Sequence, residues 1–138
     1  MAELQKLGPG LLTIGETGSP QEFGAMTTKT ELEPEYDKDD DVSVLSGEDY
    51  GGDETEKWTL KFDLLQDYTA ESLNYWLYQN AGKTLPFTFV PNKEGALQAK
   101  GKVRIRASKL GGEVKKTNSS EMELPVIGRP DITPDYAG

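Results

Sequence analysis

Apolar and polar residues alternate along several short runs of this chain, and each run predicts a strand with one face turned inward. The clearest is 58–64, where Trp58, Leu60, Phe62 and Leu64 alternate with Thr59, Lys61 and Asp63. Leu85, Phe87 and Phe89 mark one face of residues 84–90, Val103, Ile105 and Ala107 one face of 101–108, and Met122, Leu124 and Val126 one face of 120–127. Upstream, Leu11-Leu12-Thr13-Ile14 reads as a brief strand between Gly8-Pro9-Gly10 and a turn-rich run over 15–20. Residues 23–33 place Met26, Thr28, Thr30 and Leu32 at alternate positions and predict another strand, closed by Pro34.

One segment departs from period two. Ala70, Leu73, Trp76, Leu77 and Asn80 share a face at helical spacing. Asp67 and Thr69 are candidate N-caps, Glu71 falls in the first turn, and Gly82 stands where a C-terminal cap belongs. A helix this short must be held by packing Leu73, Trp76 and Leu77 on a sheet. One helix among such strands predicts a mainly β (α+β) domain: a small β-sandwich or barrel with one flanking α-helix.

The stretch 35–56 breaks the pattern. It is dense in Asp, Glu and Gly, with Val42, Val44 and Leu45 as an apolar island. Structureless loops of that length are uncommon in compact domains and are usually functional or disordered. It is read as a long acidic loop or hairpin, in which Val42-Ser43-Val44 forms an arm that needs a neighbour. The 138 residues then make a single domain: an N-terminal arm over 1–10, the acidic segment, a most regular part over 57–128 and a C-terminal segment over 129–138. A hydrophobic share of 35% and a mean hydropathy of −0.63 are low, so part of the chain is expected to be completed by a partner or to stay disordered.

Charge sharpens this. The net charge is −9, which argues against nucleic-acid binding by a general basic surface. Residues 1–56 hold fifteen acids and three bases, and 57–138 nine acids and twelve bases, a split of −12 and +3. Such halves attract between copies and favour head-to-tail contact over a two-fold face. A solvated acidic loop accounts for the same split. Cysteine and histidine are absent, which removes disulfides, thiolate or imidazole metal sites and every nucleophile–histidine pair. No apolar run reaches bilayer-spanning length, and Met1-Ala2-Glu3-Leu4-Gln5-Lys6 lacks the order of a signal peptide, so synthesis and use in the cytoplasm are expected.

Four features invite a chemical reading. Gly82-Lys83-Thr84 resembles the end of a phosphate loop, but Leu77 stands where the earlier glycine belongs, and the run follows a helix instead of opening one. Asp37, Asp39, Asp41 and Glu48 fall at the first, third, fifth and twelfth positions of a calcium loop. There Val42 replaces the turn glycine, while Pro34 and Gly51-Gly52 deny it flanking helices, which favours a solvated acidic loop. Glu121 and Glu123 share a strand face, as general acid–base work would require, and fit a polar outer surface better. Lys102, Arg104 and Arg106 project together, either as a narrow grip on DNA or, more in keeping with an acidic protein, as partners for carboxylates of a neighbouring subunit.

Taken together, Trp58-Thr59-Leu60-Lys61, the helix Ser72-Leu73-Asn74-Tyr75-Trp76-Leu77, the run from Asn80-Ala81-Gly82-Lys83-Thr84 through Leu85-Pro86-Phe87-Thr88-Phe89-Val90-Pro91-Asn92, and Glu123-Leu124-Pro125-Val126-Ile127-Gly128-Arg129-Pro130 resemble the major tail tube proteins of long, non-contractile bacteriophage tails. The likeness covers over half of the chain and involves no catalytic signature. It implies a non-enzymatic virion protein without a cofactor, built into hexameric rings that stack into a tube, through which DNA passes without specific binding. The implied partners are further copies of the chain and other tail proteins (tape measure, tail tip and tail terminator). In that family the N-terminal arm, the long loop and the C-terminal segment reach to adjacent subunits. On this reading Asp37, Asp39, Asp40, Asp41, Val42 and Val44 are interface candidates, meeting basic residues among Lys102, Arg104, Arg106, Lys115 and Lys116. A solitary β-sandwich binding module using the acidic segment, with or without calcium, is the alternative.

Overall fold

The computed structural model of the chain describes residues 6–16, 18, 20–38, 41–51 and 54–136. Its strands are β1 (Leu11–Ile14), β2 (Gln21–Glu22), β3 (Thr27–Lys38), β4 (Val42–Ser43), β5 (Asp49–Tyr50), β6 (Glu54–Leu65), β7 (Thr84–Val90), β8 (Gln98–Arg104), β9 (Ser119–Pro125) and β10 (Asp131–Thr133), with one α-helix, α1 (Leu73–Asn80), and a 3-10 turn at Gly24–Met26. The fold is mainly β. One antiparallel sheet runs β10-β8-β7-β1-β2, a second runs β3-β6-β9, and β4 and β5 pair separately. A bridge between Val103 and Val126 joins β8 to the end of β9, so the two sheets meet along one corner.

The period-two pattern decides which faces close on each other. Leu60, Phe62 and Leu64 of β6 and Met122 and Leu124 of β9 are buried against Leu12, Ile14, Leu85, Phe87, Phe89, Ala99 and Val103 of the five-stranded sheet. Phe23 lies between this core and the helix: its ring is 5.7 Å from both Phe62 and Trp76, edge to face in each case. Leu77 is fully buried, while Leu73 and Trp76 pack on the core with partial exposure, so all three hold the helix as the stripe predicts. Gly10 lets the chain pass close to β7, since a β-carbon there would sit 2.4 Å from the Val90 carbonyl oxygen.

Polar groups seal the end of the domain near α1. Gln66 Nε2 donates to Gly111 O at 3.1 Å and to Ser120 Oγ at 3.1 Å, while its Oε1 accepts from Gly111 N at 2.8 Å and Tyr68 OH at 2.7 Å. Ser120, fully buried, donates to Lys109 O at 2.7 Å. A buried amide and hydroxyl are tolerated because each is satisfied, and together they pin the long connection that follows β8.

Several expectations are corrected. Pro34 does not close β3, which continues to Lys38 in register with β6, Pro34 opposite Trp58. The Trp58 carbonyl accepts from Val126 N on the β9 side, so the Pro34–Trp58 pair exchanges no bond. The missing N–H of Pro34 therefore falls on the free edge, where proline is accommodated. The acidic segment is thus a hairpin in which 35–38 and 54–56 are strand. Residues 24–26 form a 3-10 turn and β3 begins only at Thr27. Ser72, not Asp67 or Thr69, caps α1, its Oγ accepting from Tyr75 N at 3.2 Å, and no acidic residue lies in the first turn. Asp67 instead organises the preceding turn through Thr69 N at 3.1 Å.

The terminal segments are fastened to the turn region after β7. Residues 6–10 are bound to the turn after β7, with Gly8 N donating to Pro91 O at 2.7 Å and Lys93 N to Pro9 O at 2.8 Å. Within 129–138, β10 pairs with β8 and Tyr136 N donates to Ala96 O at 2.9 Å. Residues 1–5 of the expected arm lie outside the described residues.

Because Phe23 fills the space between sheet and helix, Phe23→Ala is expected to cost about 3–5 kcal/mol, read as a lowered urea midpoint with an unchanged slope.

Candidate functional site

The feature that sets this domain apart is the hairpin of β3 and β6. Both strands are twelve residues long. β9 covers β6 only from Thr59 to Leu65, so beyond Pro34 and Trp58 the two strands pair with each other alone. Residues 35–38 and 54–57 are exposed on both faces, and a two-stranded ribbon without a sheet or helix behind it is marginal in water. At its root, Trp58 Nε1 donates to Glu56, Arg129 Nε lies 3.5 Å from the same carboxylate, and Trp58 packs on the core. Towards the tip, β4 and β5 form a second small hairpin, closed by Gly47 N donating to Val44 O at 3.0 Å.

This arm joins charge to apolar surface. Residues 35–57 carry ten acids and two bases, a net −8. Tyr36, Val42, Val44 and Leu45 are nonetheless exposed, Leu45 completely at 105%. Apolar side chains held outward on an acidic ribbon lose nothing by being covered, whereas the carboxylates restrict what covers them to a surface of opposite sign.

The rest of the charge is sorted by sheet face. On the outside of β3-β6-β9, Glu31, Glu33, Asp63, Glu121 and Glu123 surround Lys29 and Lys61. Lys61 Nζ lies 2.9 Å from Glu33 and 3.9 Å from Glu123. That hydrogen bond with Glu33, aided by the charges of Glu33, Glu123 and Glu35 against a desolvation cost, holds the Lys61 ammonium above the ordinary lysine value. On the outside of the other sheet, Lys100, Lys102 and Arg104 are exposed while Ala99 and Val103 point inward, and Arg106 continues the row beyond the strand. Among the described residues none of these four bases forms an ion pair.

The structure therefore separates the residues singled out in the sequence. Asp37, Asp41, Val42 and Val44 lie on the arm, while Asp39 and Asp40 lie outside the described residues. Lys102, Arg104 and Arg106 lie on one sheet face. Lys115 and Lys116 lie on the connection after β8, where Lys116 pairs with Glu113. Asp37 stands in a strand opposite Thr55, which is not the geometry of a calcium loop, and no three acidic side chains among the described residues are grouped to hold a metal. Gly82 and Lys83 of the Gly-Lys-Thr run have their amides bound to Ile105 O at 2.8 Å and Asn80 O at 3.0 Å, so neither cradles an anion. Glu121 and Glu123 are exposed on the outer face of β9. Among the described residues, no helix is long and apolar enough to cross a membrane.

No protein-family model matches the chain, and no curated protein does. Inference about function therefore rests on the geometry.

One surface went unnoticed in the sequence. Tyr68, Tyr75, Tyr78, Ala107 and Leu110 line a broad, mostly apolar groove of about 700 Å³ between α1 and the segment after β8. Tyr75 and Tyr78 stack at 6.5 Å on the face of α1 opposite the core. Their signal was available as aromatic residues three apart, outside the inward stripe.

Because the outer ribbon has no covering layer, amides of 35–38 and 54–57 in the unassembled chain are expected to exchange with solvent orders of magnitude faster than those of Leu60, Phe62 and Leu64. Hydrogen-exchange mass spectrometry reads both in one experiment.

Proposed function

We propose that this chain is a structural subunit that polymerises with copies of itself into stacked rings, forming the tail tube of a long, non-contractile bacteriophage tail. The observation that carries this reading is the acidic hairpin arm, half of it built into the domain and half left without a covering layer. A monomer has no use for a ribbon that exposes Tyr36, Val42, Val44 and Leu45 on a net charge of −8. A second copy offers a counterpart, because the same domain exposes basic residues away from the arm. Contacts between unlike surfaces of identical subunits close into rings or extend into filaments according to their rotation.

The sorted sheet faces give such a tube a direction across its wall. A bore lined by Glu31, Glu33, Glu121 and Glu123 repels phosphate, so duplex DNA slides without adhering. The role calls for no catalytic group and no cofactor. The tape measure, tail tip and tail terminator would meet the ends of the tube.

Negative-stain electron microscopy of the concentrated protein tests the assembly, with rings or tubes enclosing an open bore as the expected result. Isolated particles at every concentration, together with an arm already protected from exchange, would sink it. The lumen assignment has its own test, since the chain lacks cysteine: in assembled tubes Glu121→Cys is expected to react with a small maleimide and to resist one carried on a large polymer. Equal reaction with both would place that face outside.

A further inference from the structure

The arm tip and the tyrosine groove occupy opposite ends of one strand. β6 begins at Glu54 in the arm and ends at Leu65, and the groove starts two residues later at Asp67. Twelve residues of extended chain span roughly 40 Å. A tip at the far end of that length cannot fold back into the groove of its own chain.

Their surfaces nevertheless match. The tip presents Val42, Val44 and Leu45 outward, and the groove presents Tyr68, Tyr75, Tyr78 and Leu110, all exposed. The arm is net −8 over 35–57, whereas the segment 107–118 beside the groove carries Lys109, Lys115 and Lys116 against Glu113, a net +2. Among the described residues the one carboxylate lining the groove, Asp67, is taken up locally by Thr69 N at 3.1 Å and Thr69 Oγ1 at 3.2 Å. The groove wall is also preset, because Gln66 and Ser120 fix the 107–118 connection at Lys109 and Gly111, on either side of Leu110.

We infer that the groove beside α1 receives the arm tip of a second copy of this chain, Leu45 seating among Tyr75, Tyr78 and Leu110 while the arm carboxylates meet Lys109, Lys115 and Lys116. The basic row of Lys102, Arg104 and Arg106, on the sheet face, is not the acceptor. Each copy then gives a tip at one end and takes one at the other, so the contact repeats head to tail. This deepens the self-assembly proposed above and rests on it for the meeting of copies, but it specifies which surfaces meet.

Leu45 and Tyr78 are exposed, 105% and 70%, so single cysteines there should leave the fold intact, as circular dichroism and the urea midpoint verify. An equal mixture of Leu45→Cys and Tyr78→Cys chains, mildly oxidised at low salt, is expected to give the mixed 45–78 disulfide well above the half share of random pairing, scored by mass spectrometry. High salt, or Tyr75→Asp with Leu110→Asp in the Tyr78→Cys chain, should reduce that product several-fold. Random pairing, an excess of like–like disulfides, or an unchanged yield with the two aspartates would overturn the docking. Tubes in micrographs without the 45–78 link would leave the assembly reading standing and remove this one. The link without tubes would do the reverse.

Discussion

Burial of Leu60, Phe62 and Leu64 on one face of β6 is the constraint from which the other parts take their positions. Side chains on a strand alternate, so a slip of one residue would turn all three to solvent and bring Lys61 and Asp63 into the core. With that register fixed, β3 and β9 are fixed on either side, and the outer carboxylates fall in rows because directly paired residues share a face. The arm exists because β6 and β3 outrun β9, and the groove exists because α1 follows β6 at the other end. One strand thus sets the core, the charged face, the projection and the concavity.

How much of this could be read in the sequence depended on whether the cause was local. The strands of β1, β6 and β7, and the packing of Leu73, Trp76 and Leu77, were legible because each buried face has its own period. The C-terminal residues of β3 were not, since Pro34 reads locally as a stop; only its place on a sheet edge, with the nitrogen turned away from β6, removes the objection. The cap of α1 was misplaced by a few residues because Asp67, Thr69 and Ser72 are all plausible oxygen acceptors. The choice was made by where Asn74 is buried, bound to Asp67 N at 3.0 Å and Ser108 Oγ at 2.9 Å. β10 and the fastening of residues 6–10 depend on contacts distant in sequence and left no pattern to find.

The candidate site was legible in character but not in spatial arrangement. An acidic segment with an apolar island announces itself in any linear reading. The basic residues looked like one set because they are close in sequence, yet the fold sends Lys102 and Arg104 to a sheet face and Lys109, Lys115 and Lys116 to the end of the domain. The tyrosines were passed over because a helix is read first for the face it buries. Charge in this chain is therefore best understood as four separate surfaces, the acidic arm, one acidic and one basic sheet face, and a basic end, and the −12/+3 division along the sequence is a projection of that arrangement.

The fastening of both terminal segments has a practical consequence. Residues 6–10 and Tyr136 are tied to the turn after β7, and α1 leads into the opposite end of that strand. Leu32, at the root of the arm, lines a small cavity together with Pro91, Leu97 and Ile132, so this turn lies on the arm's side of the domain. Anything genetically attached ahead of residue 6 or after Tyr136 would start from that pole, on the arm's side and away from the tyrosine groove. On the docking proposed above, a tagged chain would accept a neighbour's arm tip and be poorly accepted itself, and so would limit the length of whatever the untagged chain forms.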